Sequence, residues 1–253
     1  MTHSATDDIF TEWLAALEAR HLADLRVPEV TRALRALSSA YVERRHKVTA
    51  RATLDSSGKR AAFALFYGPL HFLTVSHVVR ELGAAQGGVR SIVDLGCGTG
   101  VAGVAWALAA TDAPRLLGID RHPWAAEETR WTYRCFGLPG QAQVGDLGRF
   151  PRLGRDDAVV AAYAMNELPS HVRAAVEDRL LAAAAVGARF LVVEPIARSV
   201  TPWWDDFAAR VTSAGGRANE WRFAVDLPPM LRLFDKAAGL NHRELTARSL
   251  YFG

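Results

Sequence analysis

The chain has 253 residues and a mass of 27.6 kDa, the size of one large domain or of a domain with a substantial appendage. Half of its residues are apolar and 23% are charged, a balance that excludes a wholly disordered or fibrous chain. The net charge of +3 is mild, but 27 Arg and only 3 Lys make up its basic side; arginine's planar fork suits phosphate, though a GC-rich coding sequence is the simpler account of such a composition.

At the amino end, Asp7, Asp8 and Glu12 stand where a secretory leader would be positive and then apolar. With only Cys97 and Cys135 available, neither a disulfide scaffold nor a four-cysteine metal site is expected, and a reducing cytoplasm is the expected setting. From residue 7 to 83 apolar side chains recur at spacings of three and four, as in Ile9, Trp13, Leu14 and Leu17, then Val30, Leu34, Leu37 and Tyr41. This predicts a helical arm. Ser57 before Lys59 starts a further helix, and Gly68-Pro69 is expected to break it at a corner, because the residue before a proline is pushed out of the α region.

After Gly87-Gly88 short apolar runs alternate with amphipathic segments, the pattern of βαβ units in a mainly parallel sheet. The boundary falls near 86. Residues 1–86 then form a helical region, a lid or a substrate-recognition arm, and 87–253 form an α/β domain. Strands are predicted at Ser91–Leu95, Arg115–Asp120, Gln143–Asp146, Ala158–Ala164 and Arg189–Glu194, with helices at Val101–Ala110, Pro123–Phe136 and His171–Ala185. The remainder reads as helix over Trp203–Ser213, extended over Glu220–Val225, helix over Pro229–Ala238 and extended over His242–Phe252, the two extended pieces closing the sheet in antiparallel fashion. Runs of small and apolar residues such as Leu180 to Ala188 fall short of the roughly 18–20 that cross a bilayer, so no membrane span is expected.

The segment that carries chemistry is Asp94-Leu95-Gly96-Cys97-Gly98-Thr99-Gly100, a strand running into a glycine-rich turn and then a helix. Glycines there let a ligand approach the main chain, and the free amides of the following helix offer it a partial positive charge. Gly98 to Gly103 also satisfies G-x-G-x-x-G, with Asp120 at a distance suited to a ribose diol, the pattern of a nicotinamide dinucleotide site. Asp94, two positions before the turn, suits a ligand bearing an ammonium or sulfonium charge better than one bearing a pyrophosphate.

The heptapeptide Asp94 to Gly100 resembles the first motif of the class I S-adenosylmethionine-dependent methyltransferases, and residues 89 to 196 agree with that family in order and spacing. The resemblance implies a doubly wound, Rossmann-like seven-strand sheet with an N-terminal helical arm, and S-adenosylmethionine as cofactor. The cofactor-binding set it implies is Asp94, Gly96, Cys97, Gly98, Gly100, Asp120, Arg121, Asp146 and Leu147. In that set Gly96 and Gly98 line the methionine half, Asp94 holds the amino group, Asp120 takes the ribose hydroxyls and Asp146 lies at the adenine edge. Each carboxylate has a structural alternative: Asp94 as a cap on the next helix, Asp120 as the end of a strand, Asp146 as a loop residue. Asn166 and Glu167, after the fourth strand in Tyr163-Ala164-Met165-Asn166-Glu167-Leu168-Pro169, are the candidate catalytic pair. They are not the Asn-Pro-Pro-aromatic box of amino-group methylases.

Asn166-Glu167-Leu168-Pro169, Leu191 to Pro195 and Arg60 to Tyr67 are also similar, over about residues 55 to 196, to the mitochondrial small-ribosomal-subunit assembly methyltransferase-like family. That likeness implies association with ribosomal RNA or the assembling subunit. The iron–sulfur cysteines of some members have no counterpart here. Residues 20 to 60 hold ten Lys and Arg against four acids, a net +6 with its densest point at Arg44-Arg45-His46-Lys47. A basic stripe of that kind attracts a phosphate backbone, or is a solvated helix face. RNA is therefore the first candidate substrate, a small metabolite under a helical lid the second, a cofactor-holding assembly module without turnover the third, and a nicotinamide-linked oxidoreductase the fourth. If a proton must leave the nucleophile, Glu167, Tyr67, His71 and His77 are candidate acceptors. Trp203-Trp204 either stacks a base or anchors a helix to the sheet.

Overall fold

A computed structural model describes residues 5–43 and 54–253. The chain forms two compact units, one containing the segment up to Leu70 together with Ala224–Leu245, the other His71–Phe223 together with Thr246–Gly253. The division expected at 86 differs from this partition.

The second unit holds most of a seven-stranded sheet in the order β3-β2-β1-β4-β5-β7-β6. Its strands are β1 (Ser91–Leu95), β2 (Arg115–Asp120), β3 (Gly140–Val144), β4 (Asp157–Ala162), β5 (Arg189–Glu194), β6 (Arg217–Ala224) and β7 (Glu244–Phe252). β1 to β5 pair in parallel, with Val93 level with Leu117 and Val159. β7 runs antiparallel to β5 with Val192 opposite Leu250. β1, β4 and β5 are buried along nearly their whole length, as expected of parallel strands covered on both faces. The edge strand β3 buries only Ala142. Parallel strands require long crossovers, supplied by α5 (Val101–Ala109), α6 (Pro123–Cys135) and α7 (Ser170–Ala185). The core includes Val93, Leu95, Ile119, Val159, Phe190 and Val192 from the sheet, and Leu180 and Phe207 from α7 and α8 (Trp204–Ser213). Pro123 opens α6 at its first turn and Gly137 follows its end with φ +63°, the expected asymmetry of helix termini.

In the first unit, α1 (Ala5–His21) and α2 (Val27–Glu43) bury Phe10, Trp13 and Leu17, and Val30, Leu34 and Leu37. The phenyl and indole rings of Phe10 and Trp13 lie 5.9 Å apart. α9 (Pro229–Ala237) adds Leu231 and Phe234 to the buried set, and Arg35 donates through Nε to the Ala237 carbonyl at 2.9 Å. α3 (Ser57–Ala62) begins at Ser57, as the sequence predicts, with Ser56 as its N-cap, the Oγ accepting from the Lys59 amide.

The expected corner at Gly68-Pro69 is absent. A π turn over Phe63–Tyr67 leads directly into α4 (Gly68–Leu82), and Gly68 takes helical angles of φ −52° and ψ −58°. The clash that bars a pre-proline residue from the α region involves its Cβ, and Gly68 has none. In the wider turn the Gly68 amide donates to the Phe63 carbonyl, five residues back. The stretch Ser57–Leu82 is long and apolar enough by composition to cross a membrane, but 67% of that window is buried in the protein, the signature of a core helix.

Other boundaries differ as well. β3 starts at Gly140 rather than Gln143, extended by pairing with Leu116–Asp120. β4 ends at Ala162 because Tyr163 turns left-handed. β6 begins at Arg217.

Candidate functional site

The strand order reverses direction between β1 and β4, and in open α/β sheets the ligand crevice lies beyond the carboxyl ends at that crossover. Every parallel strand delivers a carboxylate to this edge. In spatial order they are Asp146, Asp120, Asp94, Glu167 and Glu194, borne on or just after β3, β2, β1, β4 and β5.

The glycine turn follows β1, with Gly96, Gly98 and Gly100 at φ +67°, +53° and +80°. A Cβ on Gly96 would stand 2.5 Å from the Ala164 Cβ and 3.2 Å from Leu147 Cδ2, so the turn is wedged between the end of β4 and the loop after β3. Asp120 joins the turn to β2: its Oδ2 accepts from the Gly98 amide at 3.0 Å and its Oδ1 from the His122 amide at 2.8 Å. Burial pushes its carboxyl up, and the two amides oppose that shift.

Asp94 is buried, and its Oδ2 accepts from the Gly103 amide in the first turn of α5 at 2.9 Å. That contact is the helix cap. Burial pushes its carboxyl up to about 7 against the pull of the Gly103 amide, and Asp120 adds to the rise. Cys97 points beneath the turn, its Sγ accepting from Thr129 Oγ1 at 3.2 Å. Asp146 is exposed, accepts from the Gly148 amide at 2.9 Å and lies 3.7 Å from Arg121 Nη2. Leu147 is buried.

At β4 the chain makes a strained exit. Tyr163 has φ +58°, a conformation that bulky side chains rarely adopt, while its amide still donates to the Val193 carbonyl at 2.8 Å. Its ring stacks on His71 with centroids 4.0 Å apart and planes 16° apart. A 3₁₀ turn, Met165–Glu167, then presents Asn166 and Glu167. Glu167 keeps solvent-accessible surface, yet crowding by protein pushes its carboxyl up to about 7, helped by the Asp120 charge and opposed by Arg121.

Sequence reasoning missed Glu194 and Arg248. Glu194 ends β5, is wholly buried, and accepts through Oε1 from the amides of Met165 and Asn166 at 2.9 and 3.2 Å. The signal available was a carboxylate closing an otherwise apolar strand; its register partner Arg248 lies too far along the chain to be found by spacing.

The other proton acceptors considered from sequence are packing groups. His71 is pulled down to about 3 by burial. His77 stacks on Phe223 at 3.8 Å. Burial pushes Tyr67 up to about 12, against a hydrogen bond with Ser38. Trp204 is buried and carries Arg248 over its ring at 4.5 Å, while Trp203 joins the core beside Phe207, so the pair anchors α8. Of the basic segment, Arg26 and Arg32 are exposed, Arg60 donates to the Leu54 carbonyl and Lys59 pairs with Asp55. Arg44-Arg45-His46-Lys47 and Arg51 lie outside the described residues.

No family model matches the chain. Over 102 residues it is 39% identical to the ribosomal RNA large subunit methyltransferase G of Streptomyces coelicolor, a match spanning 40% of this chain and 25% of that protein. Among solved structures, mitomycin 7-O-methyltransferase aligns over 99% of this chain and 76% of its own, with a TM-score of 0.54 and 17% identity. Magnesium protoporphyrin IX methyltransferase from Synechocystis PCC 6803, crystallised with bound SAH, gives a TM-score of 0.48 and 16% identity over 72% of this chain and 82% of its own. With its sheet order, its crossover point and this likeness along nearly the whole length, the chain has the class I methyltransferase fold.

Proposed function

We propose that the protein transfers a methyl group from S-adenosylmethionine to an RNA acceptor. The observation that carries the reading is the junction of Gly98 and Asp120 at the crossover of the sheet. The donor set fits that cofactor: a turn with left-handed glycines, a helix amino end beside it, and a rim of carboxylates suited to a cationic ligand. In this reading the main chain from 96 to 100 lies along the amino-acid tail, Asp120 accepts from the ribose hydroxyls, and Arg121 and Asp146 border the adenine. Cys97 and Leu147 pack behind them, and Asp94 acts through its cap on α5.

When bound, S-adenosylmethionine supplies a methyl group already activated on a sulfonium. The chain has mainly to align the acceptor and exclude water. Asn166 orients the acceptor, and Glu167, held near neutrality, takes its proton. Support for an RNA acceptor comes from the 39% likeness to a ribosomal RNA methyltransferase and from the +6 segment 20–60, in which the helical region serves as the recognition arm.

Calorimetry with S-adenosylmethionine and with NAD tests the cofactor; binding of NAD alone overturns it. Asp120→Ala is expected to weaken S-adenosylmethionine binding by about 1–3 kcal/mol, the scale for polar groups left unpaired, and an unchanged affinity removes Asp120 from the site. Labelled methyl transfer to whole-cell RNA, set against a metabolite extract, tests the acceptor. RNA binding is expected to weaken steeply with salt; label found only in the extract means a small-molecule acceptor.

A further inference from the structure

We infer that Glu194 is a positioning residue for methyl transfer: through Oε1 it holds the amides of Met165 and Asn166, and so fixes the 3₁₀ turn that presents Asn166 and Glu167 to the acceptor. The inference rests on the methyltransferase reading of this edge.

The turn's own backbone bonds, from the Glu167 amide to the Ala164 carbonyl and from the Leu168 amide to the Met165 carbonyl, are both long at 3.3 Å, and Met165 is its one fully buried side chain. The turn follows Tyr163, whose left-handed backbone is a conformation that persists only where the surroundings over-determine it. Two consecutive amides then converge on a single carboxylate oxygen, at 2.9 and 3.2 Å. That oxygen belongs to the last residue of β5, in the middle of the sheet, with no exposed surface. The other oxygen, Oε2, is buried without a hydrogen-bond partner. Arg248 sits opposite in the β5–β7 register, is itself 2% exposed, and leaves its Nε buried and unpartnered while Nη2 donates to the Thr201 carbonyl at 3.3 Å.

A buried carboxyl with one oxygen unsatisfied is costly to desolvate, and only the whole set of Glu194, its two amide donors and Arg248 offsets that cost. A stability role is therefore a poor account of it. Rules of burial and polar satisfaction are broken where function demands it, and here they are broken one hydrogen bond away from the candidate catalytic pair. Burial pushes the Glu194 carboxyl up to about 8, with the two amides and Arg248 pulling against burial and the Glu167 charge.

The test compares the wild type with Glu194→Gln, which keeps a carbonyl oxygen for the two amides, and Glu194→Leu, which removes it. Melting temperature, calorimetric affinity for S-adenosylhomocysteine, amide exchange at Met165 and Asn166, and labelled-methyl transfer to the pool that the wild type labels are measured on each. Expected for Glu194→Leu are a lowered melting temperature, because two amides and the buried Arg248 lose their carboxylate, an affinity within about threefold of wild type, exchange at the two amides faster by tenfold or more, and transfer at saturating cofactor slower by tenfold or more. Glu194→Gln is expected to restore most of the transfer. Unchanged exchange in Glu194→Leu overturns the contact, and faster exchange with undiminished transfer overturns the positioning role. A fall in stability and transfer together in both variants makes Glu194 a structural residue only. Failure of the wild type to bind S-adenosylmethionine or S-adenosylhomocysteine defeats the methyltransferase reading instead, and leaves the exchange result standing.

Discussion

Glu167 combines accessible surface with a carboxyl held near 7, and a general base works best when its pKa is close to the working pH. Glu167→Gln is expected to slow methyl transfer by about 10²–10⁴-fold, the range for positioned acid–base groups, and to abolish an acid limb near pH 7 in the rate profile, with cofactor affinity little changed. A variant that keeps both rate and acid limb removes Glu167 from proton transfer. Gly96 is constrained differently. Gly96→Ala adds a methyl group 2.5 Å from the Ala164 Cβ at φ +67°, combining left-handed strain of about 1–2 kcal/mol with overpacking of about 1–3 kcal/mol. Urea denaturation is expected to show a loss of about 2–4 kcal/mol. At this scale the sequence was informative where residues are adjacent: Asp94 to Gly100 and Asp120 could be picked out because strand, turn and strand end follow in order. For Asp94 the contact with the next helix could not be found by spacing: its Oδ2 accepts from the Gly103 amide at 2.9 Å.

Among the elements, the buried strands were legible because a parallel strand covered on both faces is a continuous apolar run, as in β1, β4 and β5. β3 was misplaced by three residues because an edge strand that buries only Ala142 carries almost no hydrophobic pattern. The helix through Gly68-Pro69 runs against the pre-proline bias because Gly68 lacks the Cβ that contributes to the clash with the proline ring. At the far edge of the sheet, β6 is a mostly exposed strand whose Trp221 Nε1 donates to Ser249 Oγ on β7 at 2.9 Å, with Ser249 wholly buried. Trp221→Phe leaves that hydroxyl without its donor and is expected to cost about 1–3 kcal/mol in chemical denaturation. In a double-mutant cycle with Ser249→Ala the two losses are expected to be less than additive; strict additivity would mean that the bond contributes nothing.

For the molecule as a whole, Asp94, Glu167 and Glu194 are held at about 7, 7 and 8, above the ordinary carboxyl range near 4. Between about pH 4 and 8 the folded chain thus binds more protons than the unfolded one, and stability falls as pH rises through that window. The melting temperature is expected to drop from pH 5 to pH 8, to recover in part when a cationic cofactor is added, and to vary less in Asp94→Asn. A melting temperature that is flat or rises over that range contradicts the burial of these carboxyls at the sheet edge.

The seventh strand lies between β5 and β6 although it follows both in the sequence. As the chain leaves the ribosome, those two strands have been made before the one that separates them, and each is left with an open edge, the surface on which chains pair wrongly and aggregate. Arg248 arrives with that last strand. A nascent chain therefore passes through a vulnerable interval with Glu194 lacking its cationic neighbour, and completion of the sheet is the event that both seals the edges and finishes the reactive end.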